Sequence, residues 1–275
     1  MYFQKEDLDL VLVPTGLLIM FSYHLFLLYR YLNLPHTTAL GFENHNKRAW
    51  VEKIVLNYNR DTTGAAVSVI SSNISAATFL STISITLSSL IGAWLGSSSN
   101  NVFQSSLIYG DTRAATISIK YIILVVCFLL AFSCFVQSIR HFVHANYLIS
   151  IPESEIPLQF VETAVIKGGD FWYLGLRALY FALNLLLWFF GPIPMFISSI
   201  AMVIILHHLD INQTPLHRYS SPADRKNASV TEYPRWHNEV RSSSTKEYIN
   251  SKKSEFREVI VQPIISLAQH LSDPA

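Results

Sequence analysis

Four long stretches of this chain contain no Lys, Arg, Asp or Glu, and nothing else in the sequence limits the fold as strongly. They are residues 10–29, 62–110 (with an apolar part at 65–95), 121–139 and 178–209. A bilayer core is crossed by about 20 apolar residues in helical form, because no water is present there to satisfy backbone N–H and C=O groups. The pattern predicts an all-α protein. Its domain, 1–210, is a four-helix transmembrane bundle with spans about 8–30, 65–96, 117–139 and 174–207, and 211–275 is a mostly flexible polar tail.

Composition narrows the class. Charged residues make up 14% of the 275, against roughly 25% in soluble domains. That is too few to cover a water-facing surface, which excludes an ordinary soluble enzyme. An aromatic content of 13% excludes a disordered chain. A formal net charge of +1 leaves no basic excess for a nucleic-acid backbone. Cys127 and Cys134 fall seven residues apart in one span, about 10 Å along a helix. A disulfide needs Cα atoms within roughly 7 Å, so these are read as packing residues.

The first span follows Lys5, Glu6, Asp7 and Asp9 and precedes no small-residue cleavage site, so a retained anchor is expected. Aromatic residues at Tyr29, Tyr31, Trp94, Tyr121, Phe171, Trp172 and Tyr173 mark interfacial belts. In the second span Ser84, Ser88, Gly92 and Gly96 recur every four residues, a small-residue stripe suited to close helix packing, with a polar pore lining as the alternative. In the fourth, Gly191-Pro192-Ile193-Pro194 predicts a kink or hinge, since each proline lacks an N–H.

Topology is nearly balanced. Four spans put Arg30, Lys47, Arg48, Lys53, Arg60, Arg140, Lys167 and Arg177 on one side. Lys5, Arg113, Lys120, Arg218, Arg225 and Lys226 fall on the other. This weakly favours the two larger loops as cytoplasmic. The same parity separates His141 and His144 from His207, His208 and Asp210, so no metal site is expected.

Candidate ligand- or headgroup-binding residues are His24, Arg30, Arg60, Asp61, Arg140, His141, His144 and Arg177. Arginines at helix ends snorkel or bind headgroups, and an ionic cluster that gates or binds an anion is the sharper alternative. His24 is the one ionisable side chain well inside an apolar segment, which makes it a functional candidate, although a hydrogen-bonded structural histidine is favoured. Asn73 and Asn184 are expected to bond across helices. A short interfacial helix is expected around Trp50, Lys53, Ile54 and Asn57. The tail carries Pro215, Pro222 and Pro234, two glycosylation sequons at Asn212 and Asn227, and a possible amphipathic helix at 245–271. Catalytic motifs such as G-x-S-x-G, a phosphate-binding G-x-x-x-x-G-K, H-E-x-x-H and C-x-x-C are absent from the sequence.

Several strings carry a family likeness. Leu8-Asp9-Leu10-Val11-Leu12-Val13-Pro14, Gly16-Leu17-Leu18, Tyr23-His24, Arg48-Ala49-Trp50-Val51 and Asn146-Tyr147-Leu148-Ile149 are among them. The strongest is Leu185-Leu186-Leu187-Trp188-Phe189-Phe190-Gly191-Pro192. Over about residues 6–210 the chain resembles the plant branch of a membrane family catalogued as domain of unknown function 599. The resemblance implies four spans, a plant-type source and no established activity, and it supplies no catalytic residues and no cofactor. The expected function is an integral, multi-pass membrane protein serving as a scaffold or accessory subunit. It would act through the lipid bilayer, a homo-oligomer or a membrane protein partner, without nucleic acid. The alternatives are a transporter or channel subunit and, lower still, a membrane-embedded lipid enzyme.

Overall fold

A computed structural model describes residues 7–56, 60–96, 113–151 and 157–214, together with Ser254, Arg257, Glu258 and Gln262. Most of the expected helix at 245–271 lies outside the described residues. The helices are α1 (Asp7–Asn33), α2 (Ala39–Leu56), α3 (Arg60–Gly96), α4 (Ala114–Ser150), α5 (Leu158–Leu187) and α6 (Pro192–Asp210). Among the described residues, five helices are long and apolar enough to cross a membrane: all but α2.

The architecture is all-α and apolar, as the hydropathy pattern requires, but the expected kinked fourth span is instead two helices, α5 and α6. The reason is local. A proline inside a helix removes an interior hydrogen bond, whereas at the first position its missing N–H has no helical acceptor anyway. Pro192 occupies that first position and Pro194 the same turn, so both start α6 rather than bend it. Ahead of them Gly191 adopts φ 124°, a backbone region hostile to side chains, and its N–H closes a 3₁₀ turn on the Trp188 carbonyl at 3.1 Å. The chain reverses there. The described residues thus hold five helices long and apolar enough to cross a membrane, where the sequence and the family resemblance implied four spans.

The helices pack as an open row in the order α3, α4, α5, α6, α1, and α2 lies across the upper part of α5. "Upper" denotes the end at which α1 and α6 finish, and "lower" the end at which α5 turns into α6. Between α1 and α2, Thr38 caps α2 by accepting the Gly41 N–H at 3.2 Å. A Cβ on Gly41 would stand 2.0 Å from the Pro35 carbonyl oxygen, so this tight connection requires glycine. Thr38 also pairs with Ile211, and Asn212 donates its backbone N–H to Thr37 at 3.1 Å, fastening the end of α6 to the α1–α2 connection.

The central seam is α4 on α5. Phe135 and Phe142 of α4 pack against Gly175 and Gly168 of α5, where any Cβ would come within 2.8 Å of the ring. Ser138 donates to the Gly168 carbonyl at 2.7 Å from between those two rings. Glycines admit this close approach, and in lipid close approach is the main source of helix adhesion. The Gly168-Gly169 pair therefore serves packing: Gly169 makes room for the Lys47 ammonium of α2. The expected interfacial helix is α2, with Val51 and Ile54 buried against Phe142, Ala145, Val161 and Val165. Of the small-residue stripe, Ser84 and Ser88 are buried, whereas Gly92 meets open space within 4 Å of its Cβ position. Gly96 ends the helix.

The division of this region into α5 and α6 also overturns the parity argument. The end of α4 and the end of α6 share the upper end, so His141 and His144 lie on the same side as His207, His208 and Asp210. They still do not converge: His141 stacks on Phe171 at 5.4 Å, while His207 faces Tyr23 at 6.4 Å. Among the described residues no three His, Cys, Asp or Glu side chains group to hold a metal.

Candidate functional site

Polar side chains on α1, α5 and α6 meet at three levels. Near the lower end, the Trp188 indole N–H donates to Asp9 Oδ1 at 2.7 Å, and Lys120 of α4 donates to the Trp188 carbonyl at 3.4 Å. The Lys120 ammonium also stands 4.9 Å from the Trp188 ring centroid, a cation–π contact. At mid-height Asn184 donates to Ser199 at 2.8 Å and accepts from Ser198, and Gly16 of α1 closes on Ser199.

The upper level holds the most concentrated charge. Arg177 of α5 is 6% exposed and Asp210 of α6 is 4% exposed, and the Arg177 Nη2 donates to Asp210 Oδ1 and to the Tyr173 hydroxyl. Tyr173 itself donates to Asp210 Oδ1 at 2.9 Å, and Tyr23 of α1 donates to Oδ2 at 2.7 Å. One carboxylate on α6 thus gathers three donors from two other helices, α1 and α5. Such charge-assisted bonds are shorter and stronger than neutral ones. The guanidinium also lies 4.3 Å from the Tyr173 ring centroid. A buried ion pair survives in a low-dielectric interior only with this kind of geometry and added hydrogen bonding.

His24 borders this cluster from α1. Its Nδ1 stands 2.7 Å from the Met20 carbonyl oxygen, and its ring packs on Phe181 at 4.8 Å, one turn from Arg177. Among the described residues, the buried atoms His24 Nε2, Arg177 Nε and Arg177 Nη1 have no hydrogen-bond partner.

The other candidates are dispersed. Arg30 reaches the Thr37 carbonyl at 3.4 Å and lies over the Phe26 ring. Arg60 and Asp61 open α3 and are exposed or half-buried at most, while Arg140 and His144 are exposed on α4. Asp170 accepts from Asn44 of α2 at 3.0 Å. Of the eight candidates, His24 and Arg177 border one seam on facing helices.

The residues missed from sequence are Asp210, Tyr173 and Tyr23. A signal existed: Arg177 and Asp210 are opposite charges bounding one uncharged window, with a Gly-Pro reversal between them. Of the two intramembrane asparagines, Asn184 does bond across helices, whereas Asn73 is exposed on the outward face of α3.

A family model described as a protein of unknown function, DUF599, matches residues 11–215. Neither a curated protein nor a solved structure matches the chain.

Proposed function

The chain belongs to the DUF599 family, and we propose that this integral membrane protein works as a scaffold or accessory subunit that presents a helix face to a membrane partner. The observation that carries this reading is the position of α3. It stands at the edge of the row with α4 as its main neighbour. Its outward face carries Ser68, Ser72, Ser75, Phe79, Thr82, Thr86 and Ser89, all exposed, with Asn73 beside them. The alternating spacing of four and three is that of a left-handed helix seam. An Asn amide facing hydrocarbon is costly, and a second helix relieves that cost by hydrogen bonding.

Native mass spectrometry of the protein extracted gently from its own membrane tests this. The expected result is a defined oligomer or a heteromeric complex that Asn73→Leu weakens. A lone monomer, or an assembly indifferent to that substitution, sinks the reading.

Five crossings would also sharpen the orientation: they would put the sequence after α6, with Arg218, Arg225 and Lys226, on the side of the eight loop cations, and leave Lys5, Arg113 and Lys120 opposite. The positive-inside rule then favours α2 and the tail as cytoplasmic and the N-terminus outside. The Asn212 amide is moreover engaged, donating to the His36 carbonyl at 3.1 Å. Single-cysteine labelling from outside is expected to reach position 2 and not position 230. A glycan on Asn227 would reverse this orientation.

A further inference from the structure

We infer that the seam between α1, α5 and α6 at Arg177 is a binding site for a ligand group carrying both an oxyanion and a hydroxyl. Arg177 is 6% exposed, yet among the described residues only its Nη2 finds an acceptor, and the buried Nε and Nη1 find none. Asp210 does not supply one in this geometry: its Oδ1 takes the Arg177 Nη2 and Tyr173 donors and its Oδ2 the Tyr23 hydroxyl, and neither oxygen bonds Nε or Nη1. Buried guanidinium donors left unmet are expensive, so they mark a place where something else accepts.

The complement lies on α1. The Met20 carbonyl can only accept, so the His24 Nδ1 beside it carries the proton and donates. In the neutral ring Nε2 is then an acceptor, and it too is buried without a partner. His24 packs on Phe181, one turn from Arg177 along α5, so two donors and one acceptor border the same seam. Arg177 shares its charge with Asp210, which suits a singly charged group better than a dianion. Toward the lower end, the half-buried Phe181 meets Phe21 at 5.1 Å, and Phe21 is 58% exposed, so the seam continues as an apolar wall for an acyl chain. A phosphodiester headgroup with a free hydroxyl meets these requirements, either on a lipid or as the water-soluble headgroup alone.

The test uses the full chain in phosphatidylcholine nanodiscs. One arm adds phosphatidylglycerol to the bilayer, the other adds soluble glycerophosphoglycerol to the buffer, and retained ligand is read by native mass spectrometry. The expected result is retention by the unmodified protein that falls about tenfold or more in Arg177→Lys and in His24→Phe, the scale of a lost hydrogen bond to a charged or buried group. Arg177→Lys keeps a cation on Asp210. His24→Phe leaves the whole ion pair intact and is expected to melt at an unchanged temperature, so it carries the test if the first variant does not fold. Phosphatidylglycerol alone being retained identifies the lipid as the source. Retention of the soluble headgroup with the same variant dependence identifies the aqueous source. Retention of neither probe, or retention unchanged in both variants, overturns the inference.

Discussion

The two halves of the helix row differ in where their strongest polar groups find partners. On the α3–α4 side, the hydroxyls of Ser75, Thr78, Thr82, Ser84 and Ser89 each donate to the carbonyl four residues back on α3 itself. Ser133 does the same on α4. On the α5–α6–α1 side, polar groups reach across: Asp9 to Trp188, Asn184 to Ser199, Tyr23 and Arg177 to Asp210. A hydroxyl can satisfy itself on its own helix and so specifies no neighbour. A carboxylate or an indole in the same setting needs a partner, and that need determines which helix lies beside which. The α3 seam is therefore held by shape, and the other half by chemistry.

This contrast can be broken most severely at the ion pair. Asp210→Leu or Arg177→Met alone leaves a buried charge uncompensated and is expected to cost about 3–5 kcal/mol, whereas the double substitution recovers most of that loss. Reversible unfolding in mixed micelles measures both. If the double variant is no better than the singles, the pair does not hold α5 to α6.

A smaller effect is expected where shape alone governs. Gly175→Leu forces a side chain into the Phe135 ring and should cost about 1–3 kcal/mol. Adding Phe135→Ala to the Gly175→Leu variant should restore part of this, since the two residues share one space. Equal stability of the single and double variants would mean that α4 and α5 do not meet there.

The smallest effects should separate the halves most clearly. Asn184→Leu removes bonds between helices and is expected to cost about 1 kcal/mol. Thr82→Val removes a bond within one exposed helix and should fall within roughly 0.5 kcal/mol of zero. A Thr82 loss as large as that of Asn184 would show that α3 already relies on a partner in the measured state.

Reading Lys, Arg, Asp and Glu as span boundaries located a helix at α1, α3 and α4, although Arg140 itself lies well inside α4. It failed at Arg177. That residue sits inside α5, so 178–209 was taken for one span although it holds the end of one helix, a reversal and nearly all of the next. Likewise the proline pair was legible as a break, but its meaning depended on Gly191: the same residues kink a helix that continues and begin one after a chain reversal.

The multi-pass membrane class, the helical character of the described residues and the position of each apolar stretch follow from the sequence alone. They rest on hydropathy and backbone satisfaction, which are sums over neighbouring residues. The number of crossings, the pairing of Arg177 with Asp210 and the isolation of His24 and Arg177 from the other candidates were decided only by tertiary structure. The cost of a charge in lipid depends on what faces it, and Asp210 faces Arg177 from 33 residues away. No local window contains that distance, so no local pattern could set the sign of the energy.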